Sequence, residues 1–275
     1  MRVIDLMHLG RERVIGCWQV DDVLIDPGPS SCLPTLLEAL GADFEPRALL
    51  LTHIHLDHAG AAGTLVERWP GLEVYVHERG ARHMADPSRL VTSATRLYGS
   101  DMGRLWGEMR AVPEPNLRVL HGGERILQGA YEVAYTPGHA SHHVSYRHGG
   151  TAFVGDVGGV RITEEGMTIP PTPPPDIDVP AWHESIALLR RWDPERLAMT
   201  HFGAGEDPAA QLAELEARLD EWSWLARELG RAGFITEVQA QIWRHGSAAQ
   251  AAAYQQAAPV EQLYAGYERY WSKQD

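Results

Sequence analysis

The sequence is poor in cysteine and in lysine. Its 275 residues include only two cysteines, Cys17 and Cys32, which excludes a disulfide scaffold and a four-cysteine zinc module. Lys273 is the single lysine. No stretch approaches the roughly 18 uninterrupted apolar residues of a membrane span, and the first residues lack the basic region and apolar core of a signal peptide. We therefore expect a cytoplasmic protein that does not enter the membrane.

The sequence also lacks a run of basic residues, and its formal net charge is −13. Proteins that bind nucleic acid usually carry a basic stripe that neutralises phosphates. Nucleic acid is therefore excluded as the expected partner, and a small molecule is favoured. Hydrophobic residues make up 44% of the chain, which is enough for a sizeable globular core.

Histidine, by contrast, is abundant. The chain contains 14 histidines, and six of them fall in two short stretches, 53–58 and 139–143. Because sulfur ligands are scarce, any bound metal ion would be held by imidazole nitrogen and carboxylate oxygen. The positions of these histidines therefore decide whether a metal site is present.

The order of apolar runs predicts two parts of the chain. Residues 1–205 alternate short apolar strands with helices, which is typical of an α/β domain. From Glu206 onward the pattern predicts helices only, beginning at Asp207-Pro208. Apolar residues of the last helix would pack this 206–275 extension onto the 1–205 domain, or would form the contact of a homodimer.

Two segments between the strands have more than one interpretation. Tyr98, Met102 and Trp106 are spaced four residues apart, so they would share one helical face. That face would be packed core, or it would line a substrate pocket beneath a helical lid. The proline-rich segment 170–175 cannot be a helix or a central strand, and it would be a stiff crossover or a wall of the site.

The segment that carries the chemistry is Leu51-Thr52-His53-Ile54-His55-Leu56-Asp57-His58. It directly follows a strand of apolar residues. Residues at i and i+2 of an extended chain point the same way, so His53 and His55 can reach one metal ion together. Asp57 and His58 follow where the chain turns into a helix, and they can face a second ion.

Three further strands also end in residues of metal-ligating type. The strand up to Tyr135 leads to His139, the strand up to Val154 leads to Asp156, and the strand up to Met199 leads to His201. Strand ends of an α/β fold commonly meet at one edge of the sheet, where functional sites form. The four segments together therefore predict a metal centre at that edge.

This set of motifs resembles the metallo-β-lactamase superfamily over roughly residues 1–205. The resemblance implies an α/β fold, the αββα sandwich, here with a C-terminal helical extension. It also implies that Asp26 is mainly structural and that His143 supports the ligands without binding metal, whereas His142 has no counterpart. The implied ligands are His53, His55 and His139 for one ion, Asp57, His58 and His201 for the other, and Asp156 bridging both.

Two divalent ions roughly 3.5–4 Å apart would activate a shared water to hydroxide and polarise the carbonyl that it attacks. Zinc suits these ligands best, and iron or manganese suits them as well. Asp57 and Asp156 are the expected catalytic residues, and Asp57 would orient the hydroxide or protonate the leaving group. The predicted activity is hydrolysis of an ester, thioester or lactone.

Single residues separate the branches of the superfamily. Asp156 disfavours dedicated β-lactamases, many of which carry cysteine there. The near-absence of lysine disfavours a glutathione thioester, and Gly159 stands where many lactonases have tyrosine. A glyoxalase-II-like or lactonase-like hydrolase is thus the favoured interpretation. The alternatives are a persulfide dioxygenase-like oxidoreductase with one iron held by two histidines and an aspartate, and, less favoured, a β-lactamase.

Overall fold

The computed structural model describes residues 1–274, which form two six-stranded sheets. Buried runs of branched apolar residues such as Val23–Ile25 and Ala48–Leu50 form central strands, as expected for strands covered on both faces. In chain order the strands are β1 (Arg2–Asp5), β2 (Gly16–Val20), β3 (Val23–Ile25), β4 (Ala48–Leu50), β5 (Glu73–His77), β6 (Leu117–Leu120), β7 (Arg125–Ile126), β8 (Tyr131–Tyr135), β9 (Val144–His148), β10 (Thr151–Phe153), β11 (Arg196–Met199) and β12 (Gly203–Gly205).

Both sheets are mixed. The first has the order β1-β2-β3-β4-β5-β6, and β3 to β6 run parallel. The second has the order β12-β11-β10-β9-β8-β7, and only β10 and β11 are parallel neighbours. Trp18 of the first sheet packs edge-on against Phe153 of the second, with ring centroids 5.8 Å apart. The sheets therefore face each other across a shared core, and the predicted αββα sandwich is confirmed.

Helices cover the outer faces of the sheets and form the C-terminal part of the chain. After β12 the chain is helical, as predicted, and the boundary between residues 205 and 206 stays a prediction. The helices are α1 (Leu33–Leu40), α2 (Leu56–Ala59), α3 (Ala62–Arg68), α4 (Glu78–Ala85), α5 (Ser88–Tyr98), α6 (Met102–Leu105), α7 (Val179–Trp192), α8 (Pro208–Arg244), α9 (Ala248–Ala257) and α10 (Val260–Trp271).

The C-terminal helices share the hydrophobic core of the sandwich. Trp222 on α8 and Tyr267 on α10 are fully buried, and both belong to the cluster that contains Leu24 and Leu49 of the first sheet. α8 bends at Gly230, whose φ of 62° is left-handed and is tolerated by glycine. Burial of these aromatic side chains fixes the extension against the sandwich.

The segment between β5 and β6 corrects one sequence-based expectation. Tyr98, Met102 and Trp106 do not share a continuous helix, because α5 ends at Tyr98 and Gly99 has a φ of 52°. Met102 begins the separate short helix α6. None of the residues of α5 is buried, so this helix is not packed core. Tyr98 and Trp106 nevertheless contact each other, with ring centroids 5.2 Å apart.

No helix among residues 1–274 is long and apolar enough to cross a membrane.

His183 links α7 to α8 and makes folding stability depend on pH. Its ring nitrogens lie 3.0 Å from Glu216 Oε1 and 2.8 Å from Asp220 Oδ1. Burial opposes the charged ring, but these hydrogen bonds and charges raise the pKa of His183 overall. The stabilisation is therefore present below the ordinary histidine pKa of about 6.5 and is lost as pH rises through the raised value.

We therefore expect His183→Gln to lower the free energy of unfolding at pH 5.5 by up to about 1 kcal/mol, because the pair is partly exposed. At pH 9 the loss should be much smaller. Denaturant unfolding at both pH values measures the difference. The control is His148→Gln, whose ring bonds the Ala130 carbonyl at 2.9 Å. An equal loss at both pH values would contradict the assignment.

Candidate metal centre

The centre begins in the segment that follows β4. The chain bends at Thr52, Ile54 is 1% exposed and packs into the core, and His55 is extended just before α2 begins at Leu56. His53 and His55 lie on either side of Ile54, and their rings meet: His53 Nε2 lies 2.9 Å from His55 Nδ1, and His53 is itself fully buried. Asp57 falls in the first turn of α2 and His58 follows it.

The remaining candidate ligands come from the second sheet. His139 lies in the loop between β8 and β9, Asp156 lies in a short 3₁₀ helix after β10, and His201 lies between β11 and β12. All three are buried. The structure thus brings seven side chains from four chain segments to one edge of the sandwich. Their roles as metal ligands remain a prediction.

The side chains form two groups. His53, His55, His139 and Asp156 each offer one atom within 4.8 Å of the others. In this group His139 Nε2 lies 2.9 Å from His55 Nδ1 and 3.3 Å from Asp156 Oδ2. Four nitrogen and oxygen atoms converging at such distances suit a divalent cation of intermediate softness.

Asp57, His58 and His201 form the second group, also within 4.8 Å of one another. His201 Nε2 lies 3.4 Å from Asp57 Oδ2, and His58 Nε2 lies 3.9 Å from the same oxygen. Asp156 Oδ1 lies 3.1 Å from His58 Nε2 and 3.5 Å from His201 Nε2. Asp156 therefore directs Oδ2 to the first group and Oδ1 to the second.

Three buried atoms of this cluster have no well-directed hydrogen bond: His58 Nε2, His201 Nε2 and Asp156 Oδ1. Buried polar atoms are normally hydrogen-bonded, because a buried polar atom without a partner lowers the stability of the fold by about 1–3 kcal/mol. Here the three atoms lie close together, since Asp156 Oδ1 is 3.1 Å from His58 Nε2 and 3.5 Å from His201 Nε2. This arrangement fits a cation in the second group, because metal coordination would satisfy all three atoms at once.

In His139, His201 and His58, the ring nitrogen Nδ1, which lies away from the centre, is hydrogen-bonded to a protein oxygen. His139 Nδ1 lies 2.8 Å from the Pro171 carbonyl, and His201 Nδ1 lies 2.5 Å from the Val14 carbonyl. These carbonyls only accept, so each Nδ1 donates and each Nε2 is the nitrogen left to bind a metal ion. The proline-rich segment thus has a defined contact with the site, through Pro171.

Asp26 holds the third of these histidines and the ends of two strands. Its side chain is fully buried and accepts hydrogen bonds from Thr52 N at 2.8 Å, Thr52 Oγ1 at 2.7 Å and Thr200 Oγ1 at 2.8 Å. His58 Nδ1 lies 2.8 Å from Asp26 Oδ2. Asp26 therefore orients His58 and ties β4 to β11, a position consistent with the structural role expected for it.

His143 and His142 lie beside the ligand groups. His143 Nδ1 lies 2.9 Å from Thr136 Oγ1, and the Val157 amide approaches His143 Nε2 at 3.4 Å. Both nitrogens of His143 thus contact protein groups, which agrees with a supporting role next to Asp156. His142 Nδ1 lies 3.5 Å from the Ile54 amide, and its ring packs edge-on against His55 with centroids 5.6 Å apart.

The electrostatics of the two groups differ. In the first group burial lowers the pKa of His53 well below its usual value and that of His55 to about 3, so both rings are neutral and can donate a lone pair. In the second group burial opposes charge, but Asp156 and the other nearby carboxylates outweigh it and raise the pKa of His58 and His201. A cation bound there would take the place of these protons.

The centre opens into a cavity of about 1050 Å³. His55, Asp57 and Asp156 line it, and so do Tyr98 and Trp106, whereas Met102 does not. The expectation that Met102 lines the pocket with the two aromatic residues is therefore wrong in geometry, because the helix breaks at Gly99. The proline-rich segment contributes Pro171 and Pro173–Pro175 to the wall, and the C-terminal helices contribute residues 256–259 and 262–263.

Sequence reasoning missed several residues of this cavity. His8, which in sequence is an isolated histidine, lines the cavity and stacks on Trp106 at a centroid distance of 5.3 Å. Gln256 bonds the His8 carbonyl at 2.8 Å from the far end of the chain. No spacing signal links residues 248 positions apart, so only the tertiary structure could reveal this wall.

The family model of the metallo-beta-lactamase superfamily matches residues 21–201, which covers the candidate ligands and most of both sheets. The chain belongs to this superfamily. A metallo-beta-lactamase fold-containing protein of Sulfurisphaera tokodaii is 28% identical over 193 residues, which are 68% of this chain and 70% of that protein.

Other relatives of this metallo-beta-lactamase superfamily protein match a smaller part of it. A hydroxyacylglutathione hydrolase of Xylella fastidiosa is 32% identical over 134 residues, which are 49% of this chain and 40% of that protein. The chain thus matches about two fifths of the length of that relative. The superfamily consists mostly of metal-dependent hydrolases. The His and Asp cluster of this chain is suited to a divalent metal ion.

Solved structures agree with this assignment. The crystal structure of an archaeal superfamily protein from Sulfolobus tokodaii has a TM-score of 0.73 at 22% identity, with 97% of both chains covered. That likeness establishes the fold, including the C-terminal helices. A protein crystallised in a di-iron-bound form has a TM-score of 0.53 at 29% identity, and the match covers 74% of this chain and 93% of that one.

Proposed function

We propose that this chain is a binuclear metal-dependent hydrolase that cleaves a carboxylic ester, thioester or lactone. The observation that carries the proposal is the position of Asp156, whose two carboxylate oxygens each face a different group of ligands. A single metal ion in the first group would leave His58 Nε2 and His201 Nε2 of the second group buried without a partner. The di-iron-bound relative supports a pair of metal ions in this fold.

Zinc is the favoured metal, and iron or manganese also fits the nitrogen and oxygen ligands. His53, His55 and His139 would hold one ion, Asp57, His58 and His201 the other, and Asp156 both. Such a pair would lower the pKa of a shared water and polarise the carbonyl under attack.

Asp57 is the carboxylate best placed to act on a substrate. Its side chain is 20% exposed, whereas that of Asp156 is 6% exposed, and both line the cavity. The free edge of the Asp57 carboxylate can accept a hydrogen bond from the attacking water and so orient it toward the carbonyl carbon. Asp57 can then pass that proton to the leaving atom, as a general acid–base residue does.

The cavity and the relatives support a small-molecule acyl substrate. Its volume of about 1050 Å³ is at the upper end of small-molecule sites. The name of the Xylella fastidiosa relative denotes hydrolysis of a glutathione thioester, which favours acyl transfer to water over phosphodiester cleavage. Nucleic acid and membrane surfaces remain disfavoured as partners by the net charge of −13.

The proposal is tested by metal analysis together with a substrate panel. The protein is loaded with zinc, iron or manganese, its bound metal is counted, and it is assayed with lactones, aryl esters, acyl thioesters, phosphodiesters and β-lactams. We expect two metal ions per chain and turnover of esters, thioesters or lactones. One iron per chain with oxygen consumption on a persulfide would overturn the proposal in favour of a dioxygenase, and turnover of β-lactams alone would overturn the substrate class.

A further inference from the structure

We propose that three arginines on the cavity wall bind an anionic group of the substrate, so that the substrate is an amphipathic acyl ester or thioester. The inference rests on the hydrolase function proposed above, because it names the substrate class of the same cavity. Arg79 and Arg82 belong to α4, and Arg89 belongs to α5. All three are exposed and line the cavity that holds the candidate metal ligands.

These arginines differ from several others on the surface, which form ion pairs with carboxylates. Arg104 pairs with Asp101 at 3.2 Å, and Arg118 pairs with Glu73 at 2.8 Å. Within residues 1–274, by contrast, no carboxylate forms an ion pair with any of the three cavity arginines. Arg82 Nε instead points to the ring of His83 at 3.2 Å. Their guanidinium donors are therefore available to a ligand.

The acidic residues nearby are engaged with other groups. Glu78 Oε2 lies 3.2 Å from His121 Nδ1. Asp176 Oδ2 accepts from the Ser141 amide at 2.9 Å, and Asp86 Oδ1 accepts from the Ser88 amide at 3.1 Å. None of these carboxylates neutralises the arginines by direct contact. The cavity wall thus carries three arginines that do not pair with Glu78 or Asp176, the acidic residues that line it together with the candidate ligands Asp57 and Asp156.

Three arginines suit an anion with several oxygen atoms. The planar guanidinium group binds carboxylate and phosphate through two parallel hydrogen bonds, which lysine does not do. Burial and the adjacent charges of Arg82 and Arg89 lower the pKa of His83, which agrees with the close grouping of these residues. The lack of lysine, which excluded a lysine-built anion site, leaves this arginine site open.

An apolar wall adjoins the arginines. Leu90, Ala94, Leu97 and Tyr98 line the cavity from α5, and their spacing of four, three and one places them on one helical face. Leu97 is 45% exposed, so its side chain is open to contact with an apolar part of a ligand in the cavity. Leu263 of α10 also lines the cavity. The substrate therefore has an apolar part beside its anionic group.

The test compares thioesters of one medium-length acyl chain on three thiols: one with a phosphate, one with a carboxylate, and a neutral thiol of similar size. Each thioester is assayed with the metal-loaded protein and with its triple variant Arg79→Gln, Arg82→Gln and Arg89→Gln. We expect the triple variant to raise KM about 10-fold or more for an anionic thioester and less than about twofold for the neutral one. The anionic thioester whose KM rises in the triple variant, phosphate or carboxylate, identifies the anion that the arginines bind.

The control Arg96→Gln removes the same charge from α5 at a residue that does not line the cavity, and it should leave all three KM values unchanged. Trp106→Ala should raise KM for the three thioesters alike, because it alters the shared acyl wall. Equal responses of neutral and anionic thioesters to the triple variant would overturn the inference.

A binding measurement separates this inference from the hydrolase proposal. Calorimetry with the corresponding thioethers, which cannot be hydrolysed, should give a Kd that rises about 10-fold or more in the triple variant for the anionic thioether alone. If no thioester is cleaved but this difference in Kd appears, the proposed reaction fails and the anion site stands. If thioesters are cleaved without any such difference, the anion site fails and the hydrolase stands.

Discussion

Asp156→Ala is expected to lower kcat/KM for the ester or thioester substrate by about 10³-fold or more. Asp156 offers one oxygen to each ligand group, so its removal weakens both halves of the centre at once. A metal centre supplies several kcal/mol of transition-state stabilisation, and each 1.4 kcal/mol is about a factor of ten. The bound metal, counted by elemental analysis after gel filtration, should fall below two ions per chain.

Asp156→Asn refines this expectation, because asparagine keeps the shape of the side chain and one oxygen. We expect it to retain more metal than Asp156→Ala but to lose most of the activity. The matched control is Asp101→Ala, which removes a carboxylate from a surface pair with Arg104 and should change neither quantity. Full metal content and near-normal turnover in Asp156→Ala would show that the residue does not bridge the two groups.

Asp26→Ala should have the largest effect on stability. Asp26 is fully buried and accepts from Thr52, Thr200 and His58 at 2.7–2.8 Å. Its removal leaves a buried amide and an imidazole without their acceptor, and we expect a loss of about 3–5 kcal/mol in the free energy of unfolding. Urea unfolding of the metal-free protein measures this loss.

The same variant should weaken metal binding through His58. When the partner of a metal-binding histidine is lost, metal affinity typically falls about 10–100-fold. Competition with a chelator measures this change, and Asp22→Ala serves as the control. Asp22 lies in the same hairpin and pairs with Arg47 on the surface at 3.0 Å, so its loss should cost less than about 1 kcal/mol. Equal effects of the two variants would contradict the role of Asp26.

The sequence by itself was sufficient to predict the ligand cluster. His53 and His55 are two residues apart, and their ring nitrogens meet at 2.9 Å, as the two-residue period of an extended chain predicts. His139, Asp156 and His201 follow apolar strands, and strand ends meet at one edge of a sheet.

Local rules failed where distant segments meet. The spacing of Tyr98, Met102 and Trp106 predicted a single helical face, but the left-handed backbone of Gly99 ends α5, and Met102 does not line the cavity. A four-residue spacing gives one face only if the helix is continuous. Whether a glycine continues or ends a helix depends on what surrounds it, and that information is not contained in the spacing.

The chain order and residue types thus determined the alternation of strands and helices, because it depends on their periods, and the resemblance to the superfamily implied the αββα sandwich and the set of candidate ligands. Only the tertiary structure decided which groups line the cavity beside the candidate ligands. Packing of the extension against the sandwich brings Gln256 and Leu263 to the cavity, and a Pro171 carbonyl sets the tautomer of His139. These contacts depend on the shape of the whole core, which no short stretch of sequence encodes.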